Sequence, residues 1–187
     1  MPTLHLAIGD MTEMDEIDVL VNSENNYLQM ARVFEHRTLS SVLRYKGSHV
    51  MHGRILEDTV QQELDTYLQY ANLLKPPVPL LEVIPTHAGH QQSLLVKNGA
   101  RYIFHVVAMG VSPDSDEVQP VTTDRQFIGC VIKALNQVIE VNKNLGVIAP
   151  ERDKKRYKAE VANSASYQPI KSIIFPLFGA GHGARPV

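Results

Sequence analysis

"IDVLVNSENN", residues 17–26, is the stretch on which the fold turns. Its first six residues form an almost unbroken apolar run rich in branched side chains, and a polar cluster bounds them, which is how a strand buried on both faces reads. A second run of this kind, "SIIFPLF" at 172–178, lies far along the chain. Strands covered on both sides need helices on both sides of their sheet.

The segments between supply them. Further strands are expected at "TLHLAI" (3–8), "LEVIPTHA" (81–88) and "RYIFHVVAM" (101–109). In "RILEDTVQQELDTYLQYANLL", residues 54–74, apolar side chains recur every three or four residues at Leu56, Val60, Leu64, Tyr67, Leu68, Ala71 and Leu74, and Pro76-Pro77 ends the pattern. A second amphipathic helix is expected from the Thr122-Thr123-Asp124 cap to Gly146, burying Phe127, Val131, Ala134, Leu135, Val138 and Ile139. A third spans about residues 30–46, with Leu39, Val42 and Leu43 as its stripe and Gly47 as its stop. Alternating strands and helices predict one α/β domain over residues 1–187, a three-layer α/β/α arrangement with a mixed central sheet and a ligand site at the carboxyl ends of its strands. The charged stretch 149–169 reads as an exposed excursion with a short helical piece.

Composition narrows the function. With 44% hydrophobic and 20% charged residues, the chain is that of a globular protein with a real core. Eighteen basic against 20 acidic residues leave a net charge of −2, so no global field draws nucleic acid or an anionic membrane, and any anion site is local. One cysteine, Cys130, rules out an intramolecular disulfide and sits in a helix pattern where a buried structural thiol is expected. The N-terminus lacks the pattern of a signal peptide and no apolar run has the length of a membrane span, which predicts a cytoplasmic protein.

Three loops carry the chemistry. Gly9-Asp10 follows the first strand, Asn22 and Asn25 follow the second, and Gly179, Gly181 and Gly183 follow the last. An aspartate accepts from an exocyclic amine, an asparagine amide serves a sugar diol, and glycine amides wrap a pyrophosphate. Placed at one end of a sheet, these groups describe a nucleotide-diphosphate pocket. The glycine run is no P-loop, because no Lys-Ser/Thr follows it, and no dinucleotide fingerprint, because it follows the last strand. His87, His90 and His105 show no metal-ligand spacing with a third partner, and no metal or cofactor is expected.

The order of these pieces resembles the macrodomain family. The resemblance rests on "IGDMTEMDEIDVLVNSEN" (8–25), "VIPTHAGH" (83–90), "ARYIFHVV" (100–107) and "SIIFPLFGAGHGA" (172–184). It implies that Asp10, with Met11 beside it, holds an adenine amino group, that Asn22 and Asn25 lie near a distal ribose, and that Gly179, Ala180, Gly181, His182 and Gly183 cradle the diphosphate of ADP-ribose. Hydrolytic members carry a glycine-rich loop soon after the asparagines; here that place reads "NYLQMARVFEHR", without a glycine. Bulky Met30 and Arg32 cannot follow the same backbone path. Arg32 either pairs with a phosphate or stands exposed at a helix start, and Glu24 either activates a water or serves as an exposed cap residue. Family members also continue past the glycine loop, so the resemblance implies a C-terminally incomplete or divergent domain, or part of a larger polypeptide.

The implied function is a reader or sensor of ADP-ribose, or of an ADP-ribosylated macromolecule, in a signalling or defence context. The alternatives are a hydrolase that removes ADP-ribose from a protein, a nucleic acid or an acetyl ester, with Asn25 and Glu24 as the candidate catalytic residues, and a degenerate structural scaffold.

Overall fold

A computed structural model describes residues 3–35, 38–70, 75–111, 118–148 and 167–178. Its centre is β1 (Val19–Asn25), which lies parallel to β5 (Tyr102–Val111) on one side and to β7 (Ile173–Ile174) on the other. The pairing sets Val19 opposite both Tyr102 and Ile173. β4 (Val83–His87) and β6 (Val118–Pro120) pair antiparallel with β5, which completes a mixed sheet of order β4-β5-β1-β7 with β6 alongside β5.

Period-two alternation divides the core between the two faces of this sheet. Leu20, Ile84, Ile103 and Val107 pack with Leu43 of α1 (Leu39–Gly47), Val60 and Leu64 of α2 (Thr59–Tyr70), and Leu95 of α3 (Leu94–Lys97). On the opposite face, Val19, Val21, Phe104, Val106 and Ala108 pack with Cys130, Ala134 and Val141 of α4 (Asp124–Lys143). The molecule is thus mixed α/β, its central strands covered on both faces, as the apolar run at 17–22 requires.

α4 starts where its cap chemistry directs. Thr123 accepts from the Gln126 N–H, and the Gln126 side chain accepts in return from the Thr123 N–H, a reciprocal pair that satisfies two donors the helix leaves open. Its buried stripe is narrower than the periodicity suggests: Phe127 and Val138 are partly buried, whereas Leu135 and Ile139 are about half exposed. Asp18 then ties β7 into place. Its carboxylate accepts from the backbone N–H groups of Lys171 and Ser172 and from Arg101 Nη1, joining the entry points of β7, β1 and β5.

Three sequence expectations need correction. Residues 3–8 form no strand, and Leu4, Leu6 and Ile8 are almost fully exposed, because alternation alone does not make a strand without a paired backbone. The helix expected from residue 54 starts at Thr59. Residues Arg54–Glu57 are instead β3, paired antiparallel with β2 (His49–Met51). His52 and Gly53 both hold positive φ, 50° and 75°, which is the two-residue turn that matches strand twist and diverts this segment from the helix. The helix expected from about residue 30 begins at Leu39, capped by the Thr38 side chain. The excursion at 149–169 falls mostly outside the described residues.

Candidate functional site

The carboxyl ends of β1 and β5 open into a cleft of about 320 Å³. Ser23, Glu24 and Asn25 line it from β1, Thr38, Leu39 and Ser40 from the first turn of α1, and Met109 from β5. Phe127 of α4 and Pro176, Leu177 and Phe178 beyond β7 form an apolar wall, in which the rings of Phe127 and Phe178 lie 6.4 Å apart. The register of β1 against β5 slips between Glu24 and Asn25, so the strand breaks away from its neighbour at the mouth of the cleft.

At the cleft's edge lies a buried polar network. Asn22 Nδ2 donates to Glu24 Oε1 at 2.7 Å and stands 3.3 Å from His105 Nδ1, while His105 Nε2 lies 3.0 Å from Thr86 Oγ1. An Asn22 donor facing Nδ1 leaves the ring proton on Nε2, so His105 donates to Thr86. Ser40 Oγ donates to Glu24 Oε1 and accepts from the Ala31 N–H. Burial pushes the Glu24 carboxyl up to about 7, against the opposing pull of Ser40, Asn22, the Asn25 N–H and the Arg44 charge. Burial alone takes the His105 imidazole down to about 3, so the ring is neutral. Two buried titratable groups thus share one amide, and Asn22 Oδ1 finds no partner among the described residues.

The loop that lacks glycine is held by its backbone. Gln61 receives the Met30 N–H and donates to the Leu28 carbonyl; Arg44 Nη1 donates to the carbonyls of Met30 and Ala31 while its Nε is bound to Asp58. Asn25 closes the turn itself, accepting from the Tyr27 N–H and donating to the Gln29 carbonyl. Leu28 and Met30 are buried in the core, so bulky side chains fit here because they point away from the cleft into the apolar layer.

Of the sequence-predicted residues, the structure brings together Glu24 and Asn25. Asn22 is fully buried beneath them rather than on a cleft wall, because its even position in β1 faces the helices α1 and α2. Glu24 is likewise no exposed cap residue. Asp10 does not join the crevice. With residues 3–8 outside the sheet, it caps a short turn through the Thr12 N–H and pairs with Lys46 at 3.2 Å, in the last turn of α1, whereas the first turn of that helix faces the cleft. Burial raises the Asp10 carboxyl, but the hydrogen bonds of Thr12 and Lys46 outweigh it and hold it below the usual range. Met11 is a core residue. Arg32 is exposed, its guanidinium 5.9 Å from the Phe34 ring, and does not line the cleft. Gly179, Ala180, Gly181, His182 and Gly183 lie outside the described residues, although Pro176–Phe178, which lead into them, line the cleft.

Sequence reasoning missed Ser40, Gln61 and Arg44, which hold Glu24 and its loop. Their only signal is position, one at a helix start and two as polar residues within helices. Compared with models of known protein families and with curated proteins, the chain matches none. No helix among the described residues is long and apolar enough to cross a membrane.

Proposed function

We propose that the cleft binds ADP-ribose or a closely related nucleotide, as a reader built on a three-layer, macrodomain-like α/β/α fold. The observation that carries this reading is a meeting of two segments: the carboxyl end of β1, with Glu24 and Asn25, and the segment after β7 that leads into the glycine run face one cleft. Its volume lies at the lower end of the range for small-molecule sites. Phe127, Phe178, Val121 and Met109 offer an apolar surface for a base, and Thr38, Ser40 and Asn25 offer hydroxyl and amide groups to a sugar. Asp10 has no part in this version of the site.

Calorimetric titration with ADP-ribose tests it. Binding lost in Phe178→Ala and Gly181→Glu but kept in Asp10→Ala is the expected outcome. No heat from the unsubstituted chain at millimolar ligand removes the reading.

A second reading, an ADP-ribosyl hydrolase, is favoured by Glu24 alone. A carboxyl near 7 at the edge of a cleft is matched to accepting a proton from water at neutral pH. Glu24→Gln should then bind the ligand yet release no ADP-ribose from a modified substrate, followed by mass spectrometry; equal release by both chains would discard it.

A further inference from the structure

At the far end of α1 from the cleft, three side chains with metal-ligand chemistry meet. One ligand atom each from His49, Glu57 and His90 lies within 4.8 Å of the other two. His49 and Glu57 face each other across the β2–β3 hairpin. His90 arrives from a different element, the loop after β4, and two glycines bring it there.

The chain crosses itself at Gly47 and Gly89 with no room for a side chain. A Cβ on Gly89 would stand 1.9 Å from the Gly47 carbonyl oxygen, and one on Gly47 would stand 2.9 Å from that of Ala88. Gly89 also holds φ at 116°, a conformation that favours glycine. The His90 N–H then donates to the Gly47 carbonyl at 2.9 Å, and its imidazole lies flat on that of His49, with centroids 4.2 Å apart and planes 6° from parallel.

We propose that His49, Glu57 and His90 bind one divalent transition-metal ion of the zinc class, which clasps the β2–β3 hairpin to the loop after β4. Two imidazoles and one carboxylate are a borderline nitrogen and oxygen set, suited to zinc and its neighbours rather than to calcium or magnesium, which favour oxygen alone. Ligand atoms around a tetrahedral zinc stand roughly 3.4 Å apart, as follows from bonds of about 2.1 Å. The parallel rings aim their nitrogens side by side, so closing the cluster to that spacing asks one imidazole to tilt out of the stack; both histidines are partly exposed. His90 Nδ1 accepts from the Gln92 N–H at 3.1 Å. Metal capture ends that bond: either Nδ1 takes the ion, or Nε2 takes it and the ring proton moves to Nδ1. Gln92 is exposed, so water replaces the lost acceptor. Three protein ligands leave a coordination position for water. His87 stays apart, its Nδ1 at 2.6 Å from Glu63 Oε1.

The test is titration of the chelator-treated full chain with Zn²⁺ in competition with a chromophoric chelator, alongside thermal unfolding with and without Zn²⁺ and the visible spectrum with Co²⁺. One equivalent is expected to bind and raise Tm. Glu57→Gln, His49→Ala and His90→Ala should each weaken binding by about tenfold or more and abolish the rise in Tm, whereas His87→Ala should leave both intact. Co²⁺ should show the intense visible bands of a four- or five-coordinate ion. Equal binding by the unsubstituted chain and the His49→Ala/His90→Ala double variant overturns the proposal, as does failure to bind one equivalent. Loss in His87→Ala with retention in Glu57→Gln does the same by moving the ion to Glu63. Glu57 is exposed, so its substitution leaves folding intact and decides the matter even where a histidine variant misfolds.

Discussion

Asn22 Nδ2 donates to Glu24 Oε1 across 2.7 Å, and both side chains are closed to solvent. The same amide stands 3.3 Å from His105 Nδ1, so one group joins two buried titratable residues whose pKa values burial drives in opposite chemical senses.

Their effects on stability oppose each other. Glu24 rises from 4.5 to about 7 on folding, so its contribution is fully present below pH 4.5 and is lost as pH rises through 7. His105 falls from 6.5 to about 3, so the unfolded chain takes its proton first and stability is lost as pH drops below 6.5. Between 4.5 and 6.5 folded and unfolded chains hold equal numbers of protons at this pair, and the two slopes cancel. Glu24→Gln should expose the histidine slope, a loss of about 1.4 kcal/mol per pH unit on acidification through that window relative to the unsubstituted chain. His105→Gln should give a slope of opposite sign. Urea denaturation at pH 4.5, 5.5 and 6.5 reads both, and parallel profiles for all three chains would exclude the coupling.

Two glycines with positive φ should respond differently to alanine. At Gly89 the new Cβ meets the Gly47 backbone, which cannot rotate away, and a cost of about 4 kcal/mol or failure to accumulate folded protein is expected. At Gly53 nothing lies within 4 Å, so Gly53→Ala pays only for backbone conformation, about 1 kcal/mol. Denaturant midpoints of the two variants check the contrast.

Asp18 is the knot that holds β7. Burial raises its carboxyl, but the N–H groups of Lys171 and Ser172 and the Arg101 guanidinium more than offset this and keep it below its usual range. Its contribution is therefore present above pH 3.8 and is lost as pH falls through the lower folded value. Asp18→Ala should cost about 2 to 3 kcal/mol near neutrality, the scale of hydrogen bonds to a charged acceptor. Hydrogen exchange should localise the loss to β7 and the start of β1; uniform loss of protection would contradict the assignment.

Cys130 packs against the sheet from α4, and burial pushes its thiol up to about 11. An aromatic disulfide reagent should label it slowly in the native chain and rapidly in urea. Fast native labelling would mean that α4 lifts from the sheet on the reagent's timescale.

What local chemistry dictates was legible in the chain. The apolar run at 17–22 needed cover on both faces and has it, and the Thr123–Gln126 pair starts α4 where the cap signal stood. These features arise from side-chain periodicity and from bonds between residues three or four apart, which order in the sequence preserves. Glu24 and Asn25 were legible as candidates because polar residues that close a buried apolar strand stand at the carboxyl end of the sheet. What the chain alone did not reveal depends on distant partners. Residues 3–8 carry the alternation of a strand, yet no backbone among the described residues pairs with them, and Asp10 stands with Lys46 instead of at the cleft. Asn22 reads as a loop amide until His105, 83 residues away, is laid beside it. His49, Glu57 and His90 have no recognisable spacing, because the hairpin turn at His52-Gly53 and the crossing of Gly47 with Gly89 bring them together. Burial and proximity between such residues are properties of the packed chain, and only the tertiary structure sets them.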